Sequence, residues 1–303
     1  MIRLLLTTLF LLSTGVISAP KLVVSILPIH SLVSNITQGV TKPELLLTGN
    51  QSAHHFHLKP SQRSLVENAD LIIAIHPRME EGLNKILSNV ASDKKFYIVS
   101  HDEHDEHDEH DEHDEHDEHD EHDEHDEHDE HSQDNLNYHV WTSISHMQGF
   151  AKKLTARLIS IDVDNSEKYQ ENYLKLERKL SALKQNIKQT LTNTQQSIAS
   201  YSNAFGHFIT ENQLKQTTLI TSKHEERLSI YKILKAKKSI RSNNTKCLIS
   251  TTGVPLKRID TLTESLDIST VRINIMGSEF NTGTDQYFKL MNNIANKVSA
   301  CLQ

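Results

Sequence analysis

The stretch SEKYQENYLKLERKLSALKQNIKQTLTNTQQSI, residues 166–198, decides the architecture. Within it Tyr169, Tyr173, Leu176, Leu180, Leu183, Ile187 and Leu191 recur at spacings of 4, 3, 4, 3, 4 and 4, the period of one helix face. Asp162 to Asn165, just before it, supplies residues suited to N-capping. Roughly thirty helical residues span about 45 Å at 1.5 Å per residue, which is long for a globular helix and suits a strut between two lobes. A coiled-coil dimer is the alternative, but the pattern lasts only about three heptads.

Strand and helix patterns alternate on both sides of the strut. Before it, apolar runs at Leu22–Leu27, Glu44–Leu47, Leu71–Ile75 and Phe96–Val99 read as strands. Helical patterns cover Ile29–Thr37, Pro60–Ala69, Met79–Val90 and Ser145–Ile161. After it, strands are expected at Thr218–Thr221, Cys247–Ser250 and Thr270–Ile275, and helices at Gly206–Asn212, Glu225–Ala236, Pro255–Leu266 and Asp285–Leu302. Such alternation predicts an α/β fold of two lobes, each with a mainly parallel sheet flanked by helices, joined by one long rigid helix. The expected boundaries are 20–165 for the N-terminal lobe, 166–198 for the linking helix and 199–303 for the C-terminal lobe.

Residues 1–19 read as a cleavable signal peptide, with Arg3 near the start, an apolar run from Leu4 to Leu12 and small residues at the exit. Cleavage fits after Ser18 or Ala19. The mature chain is expected to be soluble and exported. Cys247 and Cys301 are an even pair in an exported chain, so a disulfide is the first reading. Two buried thiols are the alternative, and no CxxC spacing supports a cysteine metal site.

Residues 101–130 are ten copies of His-Asp-Glu, followed by His131. This block holds half of the 40 acidic residues and 11 of the 20 histidines. The remainder has 32 basic against 20 acidic residues, so the formal charge of −8 belongs to the tract and not to the body. The basic residues are scattered, with no aromatic-interleaved stripe, and no nucleic-acid partner is expected. Massed carboxylates with nothing apolar to bury predict a disordered loop. Its imidazoles, His101, His104, His107, His110, His113, His116, His119, His122, His125, His128 and His131, are ligands suited to zinc, copper and nickel. A repeat expanded by slippage and tolerated in a surface loop is the plainer reading.

Nine histidines lie outside the tract: His30, His54, His55, His57, His76, His139, His146, His207 and His224. His54 follows a strand at the sheet end where parallel-sheet proteins bind ligands, and His139 lies where the chain resumes after the tract. Two loop histidines converging on one cleft begin a metal site.

The motifs around these two carry a resemblance. His54-His55-Phe56-His57-Leu58-Lys59-Pro60-Ser61 is similar to a ligand segment of the periplasmic zinc-binding components of bacterial ABC importers, the ZnuA type. Asn137-Tyr138-His139-Val140-Trp141-Thr142-Ser143 resembles that family's second ligand motif, and an acidic His-rich insertion upstream of it recurs in the zinc-specific branch. Cys247 and Cys301 fall where some members form a disulfide. The resemblance implies zinc as cargo, an inner-membrane ABC zinc permease with its ATPase as partner, a periplasmic zinc chaperone as a further one, and a monomer without catalytic activity. The family's third histidine corresponds here to Ser202, in Ser202-Asn203-Ala204-Phe205-Gly206-His207-Phe208, and the carboxylate of manganese-type relatives corresponds to Gly277. The inherited ligands are thus His54 and His139, with His57, His207, Glu279, water or a histidine folding in from the tract as candidates to complete the set. A zinc buffer or metallochaperone with a degenerate pocket is the alternative function. A zinc hydrolase is a third, but no HExxH or G-x-S-x-G motif is present.

Overall fold

The computed structural model describes residues 19–48, 51, 53–54, 56–99, 136–192, 194, 196–222 and 227–303. The expected signal peptide, save Ala19, and the whole His-Asp-Glu tract lie outside the described residues. Two four-stranded sheets form, every strand pair parallel, in the orders β2-β1-β3-β4 and β6-β5-β7-β8. The first sheet is built from β1 (Leu22–Val24), β2 (Glu44–Leu45), β3 (Leu71–Ala74) and β4 (Lys95–Tyr97). The second uses β5 (Ile198–Ser200), β6 (Gln216–Leu219), β7 (Cys247–Thr251) and β8 (Ser269–Ile273). The two lobes thus repeat one winding order, and the expected α/β class holds.

The inner strands explain why the sequence is legible there. β1, β3, β5 and β7 are buried at every residue, because helices cover both faces of a parallel sheet; β1 and β3 read as unbroken apolar runs, and β7 opens on one, Cys247–Ile249. The outer strands β2, β4, β6 and β8 are partly exposed and mixed in composition. The helices are α1 (Leu27–Ile36), α2 (Pro60–Glu67), α3 (Glu81–Leu87), α4 (Ile144–Ile161), α5 (Ser166–Leu191), α6 (Gly206–Glu211), α7 (Ile230–Ser242), α8 (Leu256–Thr263) and α9 (Gln286–Cys301). Leu27, read as the end of the first strand, instead opens α1, with Pro28 in the first turn where its missing N–H costs nothing.

The strut is α5, whose 26 residues span about 39 Å. It ends at Leu191 and not at Ile198, because Ile198–Ser200 is the inner strand β5. Three residues after a polar run are too short to show any period. Tyr169, Leu176, Leu180, Leu183, Ile187 and Leu191 are buried as the spacing predicts, while Tyr173 is half-buried against the same core. Asp162 accepts from Tyr169 Oη at 2.7 Å and from Asn165 Nδ2, so it anchors the start of the strut and its side chain does not cap α5.

One hydrophobic core runs from the first sheet through α1, α4, α5 and α9 into the second lobe, and a smaller one lies beneath α7 and α8. Polar ties reinforce the crossing. Asn35 Nδ2 and Ser31 Oγ, on α1, donate to Thr284 O at 2.7 and 3.1 Å, and Tyr287 N donates to Ser31 Oγ at 3.1 Å. Cys247 at the start of β7 and Cys301 at the end of α9 are disulfide-bonded with Cα atoms 5.5 Å apart. No described helix is long and apolar enough to cross a membrane.

Candidate metal centre

The loop carrying His54 leaves the end of β2 and returns at α2. Phe56, buried, fixes it by packing on Gly82 of α3, where an added Cβ would lie 2.4 Å from Phe56 O and 2.9 Å from its ring. Gln62 closes the loop's base: its Nε2 donates to Leu46 O at 2.6 Å and its Oε1 accepts from Lys59 N at 2.8 Å. His139 is placed by the turn that follows it. Residues 140–142 form a 3-10 turn, and Trp141, fully buried, donates its indole N–H to Ile275 O at 2.8 Å beyond the end of β8. Tyr287 Oη of α9 donates to Trp141 O at 2.9 Å. The segment is therefore held by the second lobe while it belongs to the first.

These two loops bring His54 and His139 together, with ring centroids 5.5 Å apart and planes inclined by 50°. Two imidazoles sharing one tetrahedral zinc, with Zn–N about 2.0 Å, have centroids roughly 5 Å apart. The observed centroid separation is close to that value. Nε2 of both rings is buried. Asn137 orients His139: its Oδ1 accepts from His139 Nδ1 at 2.8 Å and from His139 N at 3.1 Å, and its Nδ2 donates to Asn203 O at 2.8 Å across the lobes. With the proton on Nδ1, Nε2 is the nitrogen that carries the lone pair for a metal.

Residues 22–301 match the family described as ZnuA, zinc-uptake complex component A, periplasmic. The chain belongs to that family. The high-affinity zinc uptake system protein ZnuA of Brucella abortus (strain 2308) is 30% identical over 92% of this chain and 91% of its own length. Among solved structures, the SBP FpvC of Pseudomonas aeruginosa in complex with Mn2+ has a TM-score of 0.74 at 14% identity, covering 94% of this chain and 98% of that one. The periplasmic zinc-binding protein TroA of Treponema pallidum has a TM-score of 0.72 at 14% identity, covering 93% and 99%. These structures share the fold.

The remaining candidates do not gather at the pair: among the described residues no group of three or more His, Cys, Asp and Glu side chains is arranged to hold a metal. His57 is exposed and lines a cavity of about 630 Å3 with His54, Phe56, Arg63, Glu67 and Glu81. Glu279 is exposed and accepts from Asn293 Nδ2 of α9 at 3.2 Å. His207, on α6, donates from Nε2 to Asn137 O at 2.7 Å and packs against His146.

The two positions that depart from the family's ligand patterns, Ser202 and Gly277, differ in their surroundings. Ser202 follows β5, is buried, and its Oγ has no hydrogen-bond partner among the described residues. A buried hydroxyl left so is a natural partner for water. At Gly277, where φ is +63°, a Cβ would lie 2.5 Å from Gln286 Nε2 and 3.1 Å from Leu290 Cβ. Gln286 Nε2 donates to the carbonyls of Met276 and Gly277 at 2.9 and 3.0 Å, so it occupies the space that a carboxylate side chain there would need. Sequence reasoning missed Asn137, His146 and Gln286. For Asn137 a signal existed: an Asn two residues before a key residue is an Asx-turn pattern.

Tyr138, next to His139 in sequence, stacks on His76 with centroids 4.6 Å apart. Glu80, fully enclosed, accepts from Ile75 N at 2.8 Å and His76 N at 3.2 Å. Burial pushes its carboxyl from 4.5 up to about 7, against the pull of those N–H groups toward the anion. The folded state holds this proton more tightly than the unfolded chain. Its stabilising contribution is therefore full below about pH 4.5 and lost as pH rises through about 7. Glu80→Gln keeps an acceptor and removes the charge. Relative to the wild type it should gain about 2.5 kcal/mol of stability between about pH 5 and pH 8. Denaturant unfolding at both pH values checks this, and identical pH profiles for the two proteins would refute it.

Proposed function

We propose that the protein captures zinc with high affinity in the periplasm, between its two lobes, and delivers it to an inner-membrane ABC permease with its ATPase. The observation that carries this reading is the His54–His139 pair, at a ring separation suited to one shared cation and seated on loops at the lobe junction. Membership of the zinc-uptake family and the name of the Brucella relative support the same cargo. Zinc is the substrate, and affinity and release are the function, with no bond made or broken. His54 and His139 supply two nitrogens. Water supplies the remaining positions, since Ser202 stands where the family's third histidine would be. The continuous core across α1, α5 and α9 favours small lobe movement on loading over wide closure.

The His-Asp-Glu tract acts as an accessory collector in this reading. Its many weak sites, tethered to the fold at Val99 and Leu136, raise the local zinc concentration. An exported chain acting as a monomer, which hands zinc to the permease or takes it from a periplasmic chaperone, completes the scheme.

A second reading, a zinc buffer with a degenerate pocket, is favoured by Ser202 at the position of the third histidine. A competitive zinc titration of the exported chain beside a version lacking residues 101–131 separates the two. Importer function predicts one tight zinc retained in the deleted protein, with fewer zinc ions per chain overall. Loss of tight binding together with the tract moves the buffer ahead.

A further inference from the structure

The outer layer of the second lobe carries apolar side chains that its core does not use. Four of the eight exposed large hydrophobic residues among the described ones lie there. Ile230, Tyr231 and Leu234 on α7 are 78%, 72% and 61% exposed, and Leu256, which opens α8, is 58% exposed. α7 meets the smaller core with its other side, through Ile233, Ala236 and Ile240, so the exposed three form a second apolar face. Leu234 lies one turn past Ile230, and the exposed Lys235, Lys238 and Arg241 continue the same outward side of the helix. α7 and α8 lie side by side: Lys237 Nζ donates to Glu264 O at 3.1 Å, and the Arg241 guanidinium donates to Ser265 O at 3.3 Å. Each helix returns the chain from the end of one strand to the start of another in a parallel sheet. Both therefore begin at the same sheet edge, and Leu256 shares that edge with the α7 trio.

The charge of this layer is one-sided. From Arg227 to Arg258 the chain has nine Lys and Arg and no Asp or Glu, and five of the nine lie on α7. Lys237 and Lys246 are offset by Glu264 and Asp267. Lys235, Lys238 and Lys257 are exposed and have no ion pair among the described residues. We propose that the α7–α8 face docks the protein on an anionic phospholipid surface. Ile230, Tyr231, Leu234 and Leu256 enter the headgroup boundary, and the lysines beside them meet lipid phosphates. Exposed aliphatic and tyrosine side chains set among lysines are the composition of a helix lying in a membrane interface. The centre of a protein–protein interface is instead depleted of lysine. Lysine stems also lie along apolar surface while their ammonium groups reach outward. Salt screens the attraction, and four side chains insert far less area than a spanning helix, so the attachment is reversible. Only its use rests on the importer reading: a carrier held at the membrane surface searches for its permease in two dimensions. The docking itself involves neither His54 nor His139 and needs no zinc.

Co-sedimentation of the full exported chain with lipid vesicles, in chelator and at low salt, tests this. The chain should partition onto vesicles of phosphatidylglycerol and phosphatidylcholine in equal parts, stay off phosphatidylcholine alone, and leave the anionic vesicles at high salt. Lys235→Gln with Lys238→Gln should weaken partition by about 30-fold, from two lost cations at the surface. Ile230→Ser with Leu234→Ser keeps every charge and should weaken it by at least about tenfold. All four side chains are exposed, so the unfolding midpoint and zinc affinity of both variants should match the wild type. Failure of the docking therefore leaves the importer reading standing. Absence of partition onto the anionic vesicles overturns the proposal and gives the face to an acidic protein partner. Wild-type partition in the serine pair overturns it too, because the attraction would then be a charge effect without insertion. So does partition that appears only after deletion of residues 101–131, since the acidic tract would then keep this face off the membrane.

Discussion

Replacing His139 with alanine should weaken zinc at the central site by at least about a hundredfold. Losing a partner that merely orients a ligand costs 10- to 100-fold in affinity, so losing one of only two imidazoles must cost more. A hundredfold is about 2.7 kcal/mol, and the remaining imidazole no longer chelates. The measurement is chelator competition in the chain lacking residues 101–131, where tract histidines cannot mask the change. His54→Ala should behave alike, because either ring alone is a monodentate ligand. His139 is buried and tied to Asn137, so its removal should also cost about 1–2 kcal/mol of stability through the broken hydrogen bonds. Thermal unfolding separates that effect from lost binding. Unchanged zinc affinity in a folded His139→Ala protein would remove the central pair as the site of capture.

Much of the scaffold around this pair is legible in the sequence, and the reason is burial. β1, β3 and β7 are covered on both faces, and their apolar runs stand out from polar surroundings. α5 buries one face along seven turns, and its period survives as a row of leucines. β5 is just as buried, yet three residues, Ile198, Ala199 and Ser200, carry no pattern. It pairs with β7 in register Ile198–Cys247, a contact across a sequence gap that only the folded chain displays. The site divides in the same way. His54 and His139 are visible because their flanking motifs are local. His146 and Gln286 are not: His146 meets His207 far along the chain, and Gln286 reaches the Gly277 carbonyl, 9 residues back, through a turn that carries no motif.

The same division explains why a site built on distant loops holds its shape. His54 rests on Gly82 through Phe56, and His139 rests on the second lobe through Trp141 and Asn137. A change in how the lobes meet at Ile275 or Asn203 therefore moves one imidazole relative to the other. Lobe movement of even an ångström would alter the distance that a shared cation requires, which gives a docking partner a mechanical route to lower affinity and prompt release.

Removal of the disulfide, by the double change Cys247→Ala and Cys301→Ala, should cost the largest share of stability of any pair of substitutions considered. The bond closes a loop with a sequence separation of 54 residues. Chain-entropy arithmetic for that length gives about 4 kcal/mol, acting chiefly on the unfolded chain. For a chain of this size that is roughly 8 °C in unfolding midpoint. Native packing adds to it, since Cys247 starts the inner strand β7, fully buried, and Cys301 closes the last turn of α9 against the common core. The alanines leave small voids between β7 and α9, at the start of β7, whereas Trp141 meets the second lobe at Ile275, beyond the far end of β8. Zinc affinity of the folded double variant should therefore match that of the wild type, while its midpoint falls. Calorimetry of oxidised wild type, reduced wild type and the double variant gives the comparison. Equal midpoints for the oxidised and reduced wild type would show that the bond contributes nothing, and a matched loss of zinc affinity would show that the C-terminal lobe, and not its loops alone, sets the site.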